Sequence, residues 1–420
     1  MPPQKPSVVV WEPGRAHDVV YVKLEEGAEG TPGFPGARVR PLFDVDAPVL
    51  SGWYRVETAP WEGPEVAEAF NAEPWVELAY LPGTPVPPPV DLAPATPDFQ
   101  ADQAYLDDAP IGLGIGEAAL WPGSDGVHVA VADLEYSWDS DHEDLDNTIG
   151  IRTSGWDSGL FRFHGTAVMS ELVSPDNGYG VTGIVPGAEP VVVFPYTEPE
   201  VYDIAASIVA AVGMLEPGDV LLIEQQAYMN GAYAPVEAEP ASWDAIAYAV
   251  ESGIVVVEPA GNGGQDLDAA YWGGWFDRSE RDSGAILVGG GNSPDSGSLV
   301  RSAAPGSCYG SRVDLQGWYD GIVTAINGDY NGYYADLFYP DEDGRQAYTT
   351  RFGGTSGASP MVAGVAAIFQ SVAIELHGEP WDPMDLRQLM VSTGTPAQGS
   401  RTMGPQPDLR RMLRYGMIPG

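Results

Sequence analysis

The sequence predicts an α/β fold, a mostly parallel sheet with helices on both faces, plus a small α+β domain at the N-terminus. Three observations carry this expectation. From about residue 127 to 289, short apolar runs alternate with helical stretches, the order that builds strand–helix–strand units and a parallel sheet. Further on, the unbroken small and apolar run Met361 to Phe369 follows a Gly/Ser-rich turn and reads as a helix that packs on all sides. Between Pro82 and Pro97, seven prolines make a stiff, extended connection that separates two units.

Taken in order, residues 18–24 and 50–57 read as strands around a Gly/Pro-rich loop at 26–38. Gly63-Pro64 opens a short helix through Asn71 with Val66, Ala69 and Phe70 on one face, and Trp75 to Tyr80 alternates as another strand. The domain boundaries follow: 1–85 for the small unit, 86–102 for the Pro-rich linker, 103–420 for the large domain. In the large domain strands are expected at 127–133, 190–194, 219–224, 254–258 and 285–289, with helices at 164–173, 201–215 and 241–252 and two closing helices at 385–392 and 408–415. Such sheets place their crevices, and hence their chemistry, at the C-terminal ends of the strands.

Composition excludes several classes. The 420 residues hold 60 acidic against 19 basic side chains, a formal charge of −41 that repels nucleic acid and anionic membranes. No stretch reaches the roughly 18 uninterrupted apolar residues of a spanning helix. Cys308 is the only cysteine, so no intrachain disulfide forms, and it reads as a small neutral side chain. Met1 to Pro6 leads only into a short apolar run, so no secretory signal is visible. That reads as a cytoplasmic protein as encoded, or an extracellular one if the chain has been trimmed or leaves by an unconventional route.

The chemistry centres on Gly353-Gly354-Thr355-Ser356-Gly357-Ala358-Ser359-Pro360, which places Ser356 at a helix N-terminus with Pro360 in its first turn. There the unpaired N–H groups and the positive dipole end favour an alkoxide or oxyanion. A serine needs a base, and the chain has five histidines, His17, His128, His142, His164 and His377. His164 stands before Gly165, which permits close backbone approach. Upstream, the apolar strand Val127 to Asp133 ends on a carboxylate that is costly unless paired, and His164 is its natural partner. A fourth stretch, Glu258-Pro259-Ala260-Gly261-Asn262-Gly263, follows the apolar strand Ile254 to Val257.

These stretches, in this order, resemble the subtilisin family of serine proteases. The resemblance implies a subtilisin-like fold and a serine endopeptidase in which Ser356 attacks, His164 moves the proton, Asp133 orients the imidazole, and Asn262 with the Ser356 N–H holds the oxyanion. The alternative is a catalytically silent relative that binds peptides or a partner. Glu135 follows Asp133 where the family has Gly, and reads as a solvated loop residue or as a group that tunes His164. Glu224, Gln225 and Gln226 stand where the family's substrate-binding segment has Ser-Leu-Gly-Gly, and with Ala260 and Gly261 they are the substrate-binding residues that the resemblance implies; Glu224 either selects a basic side chain or bonds to backbone. No cofactor is required for the chemistry. The loop after His164 resembles one that wraps a structural calcium, with Asp144 and Asn177 as side-chain ligands and Pro175, Tyr179 and Val181 beside them. The small domain resembles the family's inhibitory propeptide, which implies a zymogen with its own N-terminal domain as intramolecular inhibitor; a permanently attached accessory domain is the competing reading. The implied partner is a protein or peptide substrate, and the enzyme is expected to be a monomer. A Tyr-rich insertion between Asn327 and Arg351 is expected to overhang the cleft.

Overall fold

The computed structural model describes residues 19–417 apart from 26, 29–30, 44–46, 48–49, 60–61, 83–94 and 329–334. The chain divides into two compact units, Met1–Leu92 and Ala93–Gly420. Most of the expected Pro-rich linker, residues 86–94, lies outside the described residues, as do Tyr330, Tyr333 and Tyr334 of the insertion.

The first unit is a four-stranded antiparallel sheet in the order Arg38–Pro41, Trp53–Glu57, Val19–Leu24, Val76–Tyr80. Alternation along Val19–Leu24 sends Val20, Val22 and Leu24 to one face, where the helix Gly63–Ala72 covers them with Val66, Ala67 and Phe70. Ala69, expected on that face, is exposed, because the buried set follows the 63, 66, 67, 70 spacing of one helical stripe. Part of the region read as a loop, Arg38–Pro41, is a strand.

In the second unit seven parallel strands lie in the order Leu315–Trp318, Ile286–Gly291, Val255–Pro259, Val220–Ile223, Ala130–Leu134, Glu189–Val193, Arg152–Ser154. Both faces are apolar, as a doubly covered parallel sheet requires. Val131, Val220, Leu222, Val255 and Val257 face the helices Arg162–Val173 and Thr355–His377. Their neighbours Ala132, Leu134, Leu221, Ile223 and Val256 pack under the helices Ile204–Val212 and Pro240–Glu251.

Helix ends follow local chemistry. Asp203 accepts from the Ala206 N–H at 2.9 Å and so starts its helix later than the expected residue 201, which sits in a short strand instead. Asp382 caps Pro383–Thr393 through the N–H groups of Met384 and Asp385. The long helix starts at Thr355, so Pro360 lies in its interior rather than its first turn. This helix is long and apolar enough to cross a membrane, yet it is almost wholly buried against the sheet and is the core of the unit. The described part of the 327–351 insertion packs on the loop around Glu143, through Gln346 Nε2 at 2.6 Å and Tyr348 Oη at 3.0 Å, and does not line the cleft described below.

The closing helix Pro383–Thr393 is tied to the sheet by Arg387, which donates to both oxygens of Asp282, at 2.8 and 2.5 Å. Burial alone raises the Asp282 pKa, but the Arg387 hydrogen bonds and charge outweigh it and hold the carboxyl at about 2, against 3.8 unperturbed. A depressed carboxyl contributes stability above its unfolded pKa and loses it as pH falls through the folded one. Asp282→Asn should therefore lower the urea midpoint at pH 6 by the equivalent of about 2 kcal/mol. The difference from the parent should close between pH 4 and 2. An equal deficit at both ends of that range would mean that the loss is one of packing, not of charge.

Candidate active site

Ser356 is the second residue of its helix, and the turn before it is made possible by Gly354, whose φ of 82° belongs to the left-handed region. The Ser356 N–H is one of the first-turn donors without an intrahelical acceptor. Pro360 has no N–H to offer the Ser356 carbonyl. Ser356 is half-buried and opens into a cavity of about 310 Å³, which it shares with His164, Glu135, Tyr136, Phe161, Glu224 and others.

The expected Asp133–His164 pair is not what the structure contains. His164 Nδ1 is in contact with Glu135 Oε2. Asp133 lies inside the strand, not at its tip: residues 133 and 135 point to the same face by the period of two, but only Glu135 has passed the end of Ala130–Leu134 and reached the crevice. Glu135 is therefore no solvated loop residue; it is 1% exposed, and its Oε1 accepts the Tyr136 N–H at 2.7 Å. Gly165 is required for this contact, since a Cβ there would lie 2.5 Å from Glu135 Cγ and closer still to the Ser137 carbonyl. The His164 ring also meets Phe352 edge-on, with centroids 5.6 Å apart. Asp133 is fully buried and neither oxygen has a hydrogen-bond partner. Burial, with the Glu135 charge adding to it, holds Asp133 well above the usual carboxylate range.

Asn262 is tied to the start of the Ser356 helix. Its Oδ1 accepts from the Thr355 N–H at 2.9 Å and from Thr355 Oγ1 at 3.2 Å, which leaves the Nδ2 amide to donate. Its own N–H is held by Gln226 Oε1 at 2.9 Å.

Glu224, Gln225 and Gln226 all line the cavity. Gln225 Oε1 accepts from Tyr202 Oη at 2.9 Å. Glu224 is 5% exposed, and burial, with Asp133 and Glu135 beside it, pushes its pKa well up, which disfavours the ionised form that a basic side chain would pair with. Ala260 and Gly261 do not line the cavity: Ala260 is packed in a core cluster with Leu267 and Leu287, and Gly261 turns with φ 96° against the Ala234 backbone. Pro259, Tyr233, Tyr136 and Phe161 line it instead. The aromatics were not legible from spacing, since they come from three separate loops and strands; Phe161 reaches the cavity from a left-handed residue just before the His164 helix.

Asp144 and Asn177 do come together, but as hydrogen-bond partners. Asn177 Nδ2 donates to Asp144 Oδ1 at 3.2 Å and the Val181 N–H to Oδ2 at 2.7 Å, while Asn177 Oδ1 takes the Tyr179 N–H. Each of these side-chain oxygens already accepts a protein N–H, so the residues as arranged do not present the open cage of oxygens that calcium needs. Among the described residues no group of three His, Cys, Asp or Glu side chains is placed to hold a metal. A ligand that binds only the folded chain raises its melting temperature. Adding a chelator should leave the melting temperature unchanged; a drop of several degrees, restored by calcium, would show that the loop rearranges around a cation.

Fold and site together define the class: a parallel-sheet serine hydrolase scaffold, with a serine on a helix N-terminus beside a histidine–carboxylate pair. Residues 124–416 match the Subtilase family, and the chain belongs to that family of serine proteases. Fervidolysin of Fervidobacterium pennivorans is 26% identical over 303 residues, covering 67% of this chain and 39% of that protein, so this chain corresponds to well under two thirds of that relative's length. The crystal structure of fervidolysin, described as a keratinolytic enzyme related to subtilisin, superposes with a TM-score of 0.53 at 17% identity over 97% of this chain and 63% of its own. The self-cleaved protease domain of PatA superposes with a TM-score of 0.50 at 21% identity, covering 69% of this chain and 96% of its own. At these identities the structural likeness is one of fold.

Proposed function

We propose that the chain is a serine endopeptidase with a Glu135–His164–Ser356 triad. The observation that carries this reading is the Glu135–His164 contact, opening on the cavity that also holds Ser356. Ser356 Oγ attacks the scissile carbonyl while His164 takes its proton and returns it to the leaving amine; water then hydrolyses the acyl-enzyme. Glu135 fixes the ring orientation at Nδ1 and stabilises the imidazolium without itself taking the proton. Asn262 Nδ2 and the Ser356 N–H are the donors for the oxyanion, which forms at the positive end of the helix. The N-terminal unit is read as an intramolecular inhibitor in a zymogen.

Two measurements test the site. A phosphonylating reagent should label Ser356 in the parent and nothing in Ser356→Ala, and Asn262→Ala should lower turnover by roughly 10²–10³. Glu135→Gln should lower kcat by about 10⁴, the loss expected when the orienting carboxylate is replaced by an amide, while Asp133→Asn should change it by less than about tenfold. The reverse order of effects would return the orienting role to Asp133.

The zymogen is tested on the chain itself. The parent should cut itself between about Leu81 and Gln100, Ser356→Ala should stay full length, and the segment 1–85 added in trans should inhibit the mature enzyme. An active, uncut 420-residue chain indifferent to that segment would instead make the N-terminal unit a permanent accessory domain.

A further inference from the structure

The cavity floor holds a carboxyl that the triad does not use. Glu224 stands just past the end of its strand, 5% exposed, and its Oε2 has no hydrogen-bond partner. Its Oε1 lies 2.8 Å from Ser359 Oγ, which is also 2.6 Å from the Thr355 carbonyl oxygen. A hydroxyl has one proton. The shorter contact is to a carbonyl, which can only accept, so the Ser359 proton is spent there. A hydrogen bond between Ser359 and Glu224 then needs a proton on Glu224.

The surroundings favour the same state. The charges that act on Glu224 are two more carboxyls, Asp133 and Glu135 from the adjacent strand and its end, the latter already matched to His164; the other titratable groups lining its cavity are His164 itself, Tyr136 and Tyr233. From the helix come two hydroxyls, Ser359 and, one turn earlier, Ser356; both pull the Glu224 pKa down, but burial and the two neighbouring carboxyls outweigh them. Two ionised carboxylates so close in a buried site cannot both be sustained without a cation.

We propose, resting on the hydrolase reading above, that Glu224 is a positioning residue for Ser356: as an un-ionised acid bonded to Ser359 Oγ, it keeps negative charge away from the place where the serine oxygen and the oxyanion develop theirs. No bond to Glu224 forms or breaks in the reaction. Loss of its proton at high pH sets a buried anion beneath that oxygen and shuts hydrolysis down. The position that the resemblance assigns to substrate recognition thereby governs the alkaline limit of the enzyme.

Profiles of kcat/KM against pH on labelled casein, for the parent, Glu224→Gln and Ser359→Ala, test this. Glu224→Gln, which cannot ionise, should move the alkaline limb up by at least about one pH unit. Ser359→Ala removes the acceptor that holds the Glu224 proton and should move the limb down. If Glu224 were an anion accepting from Ser359, the same change would move the limb up, so the sign of that shift decides even if Glu224→Gln fails to fold. Infrared difference spectra should lose one un-ionised carboxyl C=O band in Glu224→Gln at neutral pH, a change that a merely structural role does not produce. A parent that cleaves casein while both variants keep its profile overturns the role of Glu224 alone. A parent that neither cleaves casein nor labels at Ser356 overturns the hydrolase reading, and the positioning role with it.

Discussion

Burial of the helix Thr355–His377 is the constraint on which the second unit depends. It lies against the sheet and the helix Arg162–Val173, with its residues from Gly357 to Ala373 out of contact with water. A proline inside a helix costs roughly 3 kcal/mol, and Pro360 leaves the Ser356 carbonyl without its intrahelical donor. Each of Val362, Val365, Ile368 and Phe369, fully buried, contributes roughly 1.5–3 kcal/mol, so the helix runs through the break and its first turn stays fixed. Ser356 and its N–H are held by packing many residues away, and Asn262 Oδ1 ties down the residue before it by accepting from the Thr355 N–H and hydroxyl.

Much of this was legible because it rests on long-range regularities. The apolar runs at Val255–Pro259 and Ile286–Gly291 have nowhere to go but the middle of a covered parallel sheet, and Ser356 and His164 at the starts of their helices and Asn262 in its turn have small residues beside them that betray them. Misreadings arose where a one- or two-residue choice depends on tertiary context. Asp133 and Glu135 share a parity, so alternation cannot tell which reaches the crevice; that is decided by where the strand ends relative to Val193, whose carbonyl accepts the Glu135 N–H. Ala260 and Gly261 were placed in the cleft by their neighbours in sequence, but the chain there turns down into the Ala234 backbone. The strand Leu315–Trp318 was missed because Gly317, which has no side chain so that the Ala358 backbone can approach, breaks the apolar run.

Two groups of buried acids in this chain contrast. Around Arg312, itself 1% exposed, Glu237 accepts two hydrogen bonds at 2.7 and 2.8 Å and Asp314 a third at 2.5 Å, so the charges are matched and the group serves as a structural joint. Beside the cleft, Asp133 and Glu224 lack such a partner, and a carboxyl in that position is driven to keep its proton. Glu171, on the His164 helix, is buried in the same unpartnered way without lining the cavity, so a retained proton is set by the lack of a cation and not by nearness to the serine.

Gly165 carries a further meaning. Because the Glu135 side chain passes where a β-carbon of residue 165 would stand, the two positions form a lock with no slack. A change at either one is felt by the other: a bulkier residue on the helix displaces the carboxylate, and a shorter acid just past the strand end falls short of the imidazole. In this chain the reach of one methylene at residue 135 and the absence of one methyl at residue 165 are two halves of a single fit that anchors the histidine.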